Sequence, residues 1–185
     1  MWAFASELPA EAASFARRAA VAAPDAGAYQ YTVALCSSGI GDLLGAAAAM
    51  DECLSSGSIG SAQVLNDFAG ICARLGSVNE ALHLQEKAAN LDMSGSPLVS
   101  GNLVALYAQT ERWDRAQKLA YITLERQPFG VESWAVLATA AQHHGDMAGA
   151  AESWAQAACA TLPGAAQMAY WRRAARIRRK MKAQG

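Results

Sequence analysis

Along the chain, apolar positions fall into helix-length stretches separated by short polar or glycine-bearing breaks. No segment alternates apolar and polar residues with period two for long enough to make a strand. The pattern predicts eight core helices, at 28–39, 42–55, 62–75, 78–91, 97–110, 113–126, 131–144 and 147–160, with further helical segments at 7–23 and 165–182. The pattern also recurs. Ala46, Ala81, Ala116 and Ala150 lie 35, 35 and 34 residues apart, each after a polar or Gly turn, and four residues after each come Met50, Gln85, Ala120 and Trp154. A period this close to 34 describes stacked helical hairpins rather than one globular core. Antiparallel helices pack closely only where small side chains let their backbones approach, while large apolar residues fill the holes between them.

Turn chemistry points to the same boundaries. Gly76-Ser77-Val78-Asn79-Glu80 reads as a helix stop followed by a Ser-x-x-Glu capping box, with Ser77 and Glu80 expected to satisfy free backbone N–H groups. Gly41-Asp42 and Gly145-Asp146 repeat the stop-then-cap order with Asp as N-cap, and Ser96-Pro97 supplies an N-cap followed by Pro at the first helical position.

The last repeat reads Trp134-x-x-Leu137-Ala138-x-x-Ala141, then Gly145-Asp146, then Ala150-x-x-x-Trp154-x-x-Ala157. This resembles the tetratricopeptide repeat, whose signature runs Trp-x-x-Leu-Gly-x-x-Tyr, Ala-x-x-x-Phe, Pro. Earlier repeats supply Leu103, Val104, Tyr107, Ala116 and Pro128; Leu65, Phe68, Ala69, Cys72, Ala81 and Ala88; and Val33, Ala34, Ala46, Met50 and Cys53. Val104 is bulky where a small residue is usual, and Gln30 and Ser100 stand where a large aromatic is favoured. The resemblance implies an all-α, right-handed α-solenoid in a single domain over 1–185, with repeats at 27–61, 62–96, 97–130 and 131–164. Residues 7–23 then form an N-terminal half-repeat or cap, in which Ala12 and Ala19 mimic Ala46 and Cys53 and Pro24 ends the helix. Residues 165–182 form a basic C-terminal capping helix, with Ala165, Ala166, Ala169, Tyr170, Ala174 and Ile177 expected to face the array.

Charge changes the picture at that end. The net charge of −1 conceals an asymmetry: all 16 Asp and Glu residues precede position 165, whereas the last 21 residues carry seven basic residues and no acidic one. Arg172, Arg173, Arg176, Arg179 and Lys180 are therefore expected to be solvated and to offer a surface to an acidic partner, unless they serve only the helix macrodipole. The scarcity of aromatic residues along that face argues against nucleic acid.

Composition excludes several classes. Hydrophobic residues make up 53% of the chain, but Ala supplies much of that, and no stretch is apolar enough to span a bilayer. The start, Met1-Trp2-Ala3-Phe4-Ala5-Ser6-Glu7, lacks the basic-then-apolar order of a secretory signal. Cys36, Cys53, Cys72 and Cys159 lie in helical packing slots without CxxC spacing, which reads as buried, reduced thiols in a cytoplasmic protein. The richness in Ala suggests a bacterial source.

No catalytic, cofactor or metal site emerges. His143 and His144 are adjacent and point about 100° apart on a helix, so one face cannot offer both to a metal. Gly39-x-Gly41 and Gly57-x-x-Gly60 are inter-helix turns rather than phosphate loops, there being no strand to precede them. The tetratricopeptide resemblance instead implies a groove lined by the first helix of each repeat. It brings Tyr31, Asn66, Asp67, Arg74, Asn102, Gln109, Thr139, Gln142 and His143 toward a partner, with Thr32, Leu35, Ala105 and Ala135 among them. Asn66 and Asn102 suit an extended peptide, since a side-chain amide pairs with both backbone N–H and C=O. The carboxylate clamp that related arrays use for acidic chaperone tails is disfavoured, because Arg74 is the one basic residue in the groove set and Asp67 and Glu132 lie near it.

These features imply a non-enzymatic adaptor, or a secretion-type chaperone, holding a client segment. A self-associating scaffold subunit is the alternative, with a weak homodimer through the N-terminal helix and its stripe of Ala12, Phe15, Ala16 and Ala19. An accessory interaction domain of a transferase is a third reading.

Overall fold

The computed structural model describes residues 27–57 and 60–184, together with residues 11, 14, 15, 17–19, 21 and 22. The described residues are helical apart from turns and short connections. The helices are α1 (Gly27–Gly39), α2 (Leu43–Ser55), α3 (Ala62–Arg74), α4 (Val78–Leu91), α5 (Pro97–Gln109), α6 (Trp113–Arg126), α7 (Val131–His143), α8 (Met147–Ala160) and α9 (Ala165–Gln184). Their bounds fall within two residues of the predicted ones.

The chain forms two compact units, divided between Met93 and Ser94 at the junction of the second and third repeats. In the N-terminal unit α1 pairs with α2, α3 with α4, and α2 also meets α3. In the C-terminal unit α5 pairs with α6 and α7 with α8, while α6 packs on α7, α5 lies against α7, and α9 covers α8. Each pair is a helical hairpin closed by a short turn.

The recurring alanines explain the close approach within hairpins. Ala46, Ala81, Ala116 and Ala150 have no exposed surface, and Met50, Gln85, Ala120 and Trp154, four residues on, are buried with them. Val33, Val64, Phe68, Ile71 and Leu82 fill the N-terminal core. In the C-terminal unit Val104, Leu124 and Leu137 form one cluster, and Trp154, Ala174 and Ile177 with four alanines of α8 and two of α7 form another. Trp134, the large aromatic of the repeat signature, is half-buried and donates from Nε1 to the Pro128 carbonyl at 2.8 Å. In the N-terminal unit, where Gln30 takes the aromatic slot, a cavity of about 480 Å³ opens beside it, between Val33 and Ala48.

All four hairpin turns share one geometry. Asp42, Ser77, Arg112 and Asp146 each donate a backbone N–H to the carbonyl five residues back, at 2.8–2.9 Å. The residue before each lies in the left-handed region: Gly41, Gly76 and Gly145 at φ 80–86°, and Glu111 at φ 58°. This is the Schellman ending, which needs a left-handed residue to turn the chain out of the helix. Glycine adopts it without steric conflict, whereas a Cβ crowds the following carbonyl at a cost of about 1–2 kcal/mol. Glu111→Gly is therefore expected to raise stability by about 0.5–1 kcal/mol, after the extra freedom of glycine in the unfolded chain offsets part of the relief. A urea melt of the variant with an unchanged or lower midpoint would show that the turn does not hold Glu111 in this conformation.

The caps agree in part with expectation. Asp42 and Asp146 accept from the backbone N–H of Gly45 and Gly149, at 2.9 and 2.8 Å. Ser77 is the N-cap of α4 but makes no side-chain capping bond, so the Ser77–Glu80 box does not form, and Ser96 likewise precedes Pro97 without one. Ser61, absent from the expected caps, accepts from Val64 N at 3.3 Å.

Of the expected N-terminal helix at 7–23, residues 11, 14, 15, 17–19, 21 and 22 are described and helical; Ala12, Ala16 and Pro24 lie outside the described residues. Arg17 ties this segment down, donating to Ser37 Oγ at 3.2 Å and meeting Asp42 at 3.5 Å. At the other end, the face of α9 that meets the array is narrower than expected. Ala174 and Ile177 are buried and Tyr170 half-buried, whereas Ala165, Ala166 and Ala169 are exposed. Residues 170, 174 and 177 make a single helical seam; Ala165 and Ala169 are rotated off it, and Ala166, on its line in the first turn of α9, is exposed all the same. No helix among the described residues is long and apolar enough to cross a membrane.

Candidate functional site

The first helices of successive repeats carry the expected groove residues, and in the N-terminal unit these residues are bonded to one another. Tyr31 on α1 donates its hydroxyl to Asp67 Oδ2 on α3 at 2.5 Å, and Arg74 on α3 donates to Ser38 Oγ on α1 at 2.7 Å and to its carbonyl at 3.4 Å. Asp67 also accepts from Gln63 Nε2 at 2.9 Å and from Asn66 Nδ2 at 3.2 Å. Burial, reinforced by the hydrogen bond to Asp67, holds the Tyr31 phenol above its ordinary range, so it remains a donor to the carboxylate. Two polar rungs thus join helices one repeat apart, and the half-buried Tyr31 and Asp67 and the exposed Arg74 face solvent from fixed positions.

Asn66 departs from expectation. It is 3% exposed, and its Oδ1 accepts from Gln85 Nε2 on α4 at 2.9 Å. Gln85 occupies the slot held by Met50, Ala120 and Trp154 elsewhere, and a buried amide there requires a polar partner, which Asn66 supplies. Asn66 therefore holds the hairpin together instead of lining the groove. Asn66→Ala is expected to cost about 1–2 kcal/mol by leaving a buried Gln85 donor without this acceptor. Thermal melts of Asn66→Ala and of Asn66→Ala with Gln85→Met check this, with the double variant recovering part of the loss.

In the C-terminal unit Asn102 is half-buried on α5, and Gln109 is exposed at the end of that helix. Thr139 on α7 is exposed and its hydroxyl donates back to the Ala135 carbonyl at 2.9 Å. Gln142 Oε1 accepts from Trp154 Nε1 at 3.2 Å. His143 packs against Trp113 with ring centroids 5.5 Å apart and the rings tilted by 32°, and His144 Nε2 lies 3.6 Å from Asp114. These rings line a cavity of about 330 Å³ with Glu111, Arg112 and Arg115.

The basic residues of α9 divide into different surroundings. Arg172, Arg179 and Lys180 are exposed as expected, with Arg179 Nε donating to the Ala175 carbonyl. Arg173 is not simply solvated: its guanidinium lies 4.6 Å from the centre of the Trp154 ring, which also stacks on Tyr170 with centroids 5.5 Å apart. Arg178, absent from the expected set, meets Glu152 on α8 at 3.8 Å. Arg173 and Arg176 border a cavity of about 290 Å³ with Thr139, Gln142, Trp154 and Ile177. Residues from two separately expected surfaces, the groove and the basic helix, therefore share one site.

The cysteines are free, but only Cys53 and Cys72 are buried; Cys36 is half-buried and Cys159 exposed. Burial raises the Cys53 thiol, and burial with the nearby Glu80 and Asp51 carboxylates pushes Cys72 up to about 11, so neither is a nucleophile at neutral pH. Among the described residues no three His, Cys, Asp or Glu side chains are grouped to hold a metal.

No family model matches the sequence, and no curated protein is significantly similar to it. Solved structures are similar in fold. YrrB, described as a tetratricopeptide protein with an unusual peptide-binding site, superposes with a TM-score of 0.79 at 13% identity, over 88% of this chain and 83% of that one. PilW, a type IV pilus biogenesis factor, gives 0.70 at 16% identity over 95% and 85%. A tetratricopeptide repeat protein from Parabacteroides merdae gives 0.70 at 13% identity over 83% and 60%. Identities this low speak to the backbone and not to the ligand: the chain has the all-α fold of the tetratricopeptide-repeat proteins.

Proposed function

We propose that the protein is a non-catalytic adaptor that holds a segment of a partner protein against the exposed faces of its first helices. The carrying observation is the pair of rungs in the N-terminal unit, Tyr31–Asp67 and Arg74–Ser38. Side chains ordered by one another lose little freedom when a ligand arrives, which favours recognition. Gln109, Thr139 and His143 extend the reading to the C-terminal unit, where each is exposed on its helix. The similarity in fold to YrrB, with its peptide-binding site, is in keeping with a peptide ligand. A secretion-type chaperone that keeps one client extended is the finer form of this proposal. Four free thiols favour a reducing compartment such as the cytoplasm.

The test is selection from a random dodecapeptide library on the purified chain, followed by titration of enriched sequences against Asp67→Ala and Gln109→Ala variants. Enriched peptides should bind the variants more weakly with little change in melting temperature for Gln109→Ala, since exposed substitutions cost under about 0.5 kcal/mol. A library that yields no binder overturns the adaptor reading.

A second reading, a self-associating scaffold subunit, has its own observation. Phe15 and Val21 of the N-terminal helical segment are 65% and 84% exposed. Burying such a face on a second copy gives a weak dimer that resists salt, because apolar contact is not screened. Sedimentation at several concentrations and at 1 M salt decides it: a monomer at every micromolar concentration removes this reading.

A further inference from the structure

The cavity between α7 and α9 has a composition that the adaptor reading does not by itself account for. Its wall holds two arginines and no carboxylate. Glu152 of α8 meets Arg178, on another side of α9, and Arg176 is exposed with no salt bridge among the described residues. Arg173 lies over the Trp154 ring, with its guanidinium carbon 4.6 Å from the ring centre, a cation–π contact that keeps the charged head beside the cavity.

Gln142 adds a directed donor. The Trp154 indole can only donate, so the Gln142 carbonyl oxygen must turn toward it, and the amide N–H₂ is left for the cavity. Thr139 has spent its proton on the Ala135 carbonyl, which leaves its oxygen as an acceptor for a backbone N–H. Trp154 and Ile177 supply an apolar floor. Three groups that donate, two of them permanently charged, surround a space of about 290 Å³, enough for a short side chain.

We propose that this cavity is a specificity pocket for the side-chain carboxylate of an acidic peptide segment, with Arg173, Arg176 and Gln142 as its donors. The proposal rests on the adaptor reading and names the chemistry that one end of the bound segment should carry. Charge complementarity commits the occupant: of the helices α1 to α9, α9 alone has basic and no acidic residues, and Arg173 and Arg176 lie one helical turn apart, facing the α7 face that the segment would cross. Paired guanidinium groups with a fixed amide favour a carboxylate over a neutral amide because charge-assisted hydrogen bonds are the stronger.

The random dodecapeptide library tests this in three parallel selections, on the native chain, on Arg176→Gln and on Arg179→Gln. C-terminally amidated peptides keep the readout on side chains. The expected result is enrichment of Asp or Glu on the native chain and on Arg179→Gln, lost on Arg176→Gln. The best acidic peptide should bind Arg176→Gln about tenfold or more weaker than the native chain, and its Glu→Gln counterpart should show the same loss against the native chain. Arg173→Gln should behave as Arg176→Gln does; because it also gives up the Trp154 contact, circular dichroism must show it folded, and Arg176→Gln stands alone if it is not. Enriched peptides with no acidic bias would overturn the pocket while leaving the adaptor reading intact; no enriched peptide at all would overturn both. Equal weakening by Arg179→Gln and Arg176→Gln, or displacement of the peptide by single-stranded oligonucleotide or phosphatidylserine vesicles to the same extent with either variant, would mean diffuse attraction to α9 and no pocket.

Discussion

Trp154→Ala is expected to lower stability by about 3–5 kcal/mol. The indole is 4% exposed and joins three elements: it stacks on Tyr170 of α9, lies under Arg173 and donates to Gln142 of α7. Its buried neighbours, Ala138, Ala141, Ala150, Ala151, Ala155 and Ala157 among them, are nearly all alanines. Alanine has no rotatable side chain to swing into a vacated space, so the cavity collapses little and the cost falls high in the range for removing a large aromatic. The loss should also be local. Repeat arrays unfold in part when one interface fails, so amide exchange should speed up in α8 and α9 well before it does in α3 and α4. Urea unfolding followed by circular dichroism, with amide exchange alongside, measures both. Trp154→Phe separates packing from hydrogen bonding, since it keeps most of the ring volume and frees Gln142; its cost should be less than half that of the alanine variant. A Trp154→Ala loss below about 1 kcal/mol would mean that α9 does not depend on this residue.

How far the sequence reveals the molecule follows from which positions tolerate alternatives. Ala46, Ala81, Ala116 and Ala150 recur at the repeat spacing and are wholly buried each time, so the period is written in the chain, and with it the fold. Turns are less legible. Three of the four announce themselves with Gly, but the hairpin imposes the left-handed conformation at Glu111 as well, because the Schellman hydrogen bonds form around whatever residue occupies the position. Caps are weaker still: Ser77 and Ser96 have the right type and place, yet the helices start without their side chains.

The candidate site was legible only as a set of faces. Spacing places Asn66 beside Asp67 on the first-helix line, but one residue along a helix is a rotation of about 100°, and Asn66 turns inward. The signal that would have shown this is Gln85, a polar residue in a slot that holds Met, Ala or Trp in the other repeats. In α9 the alanines mislead because they are compatible with either face; Tyr170, Ala174 and Ile177 define the true seam. The meeting of Thr139 and Gln142 with Arg173 and Arg176 has no local signature, since it depends on α9 folding back across the α7–α8 hairpin, more than 30 residues along the chain from Thr139.

Overpacking the alanine contacts tests the period directly. Ala81→Leu in the N-terminal unit and Ala116→Leu in the C-terminal unit are each expected to cost about 2–3 kcal/mol. Both side chains are wholly buried, at 0% exposure, where the second helix of a hairpin meets the first. Leucine adds three carbons at a point where the partner backbone leaves room for one, and interiors packed at crystal density have no void to absorb them. The strain must then be taken up by separating α3 from α4, or α5 from α6, which loosens contacts along the whole pair. The hydrophobic gain from a larger side chain does not compensate, because the added atoms displace other buried atoms and not water. A control on the same helix isolates the effect: Ala89→Leu, at a half-buried position of α4, should change stability by less than about 1 kcal/mol. Denaturation midpoints for the three variants decide the matter. If Ala81→Leu and Ala116→Leu both melt like the native chain, the small-residue contact does not set the helix spacing, and the alanine period has some other cause.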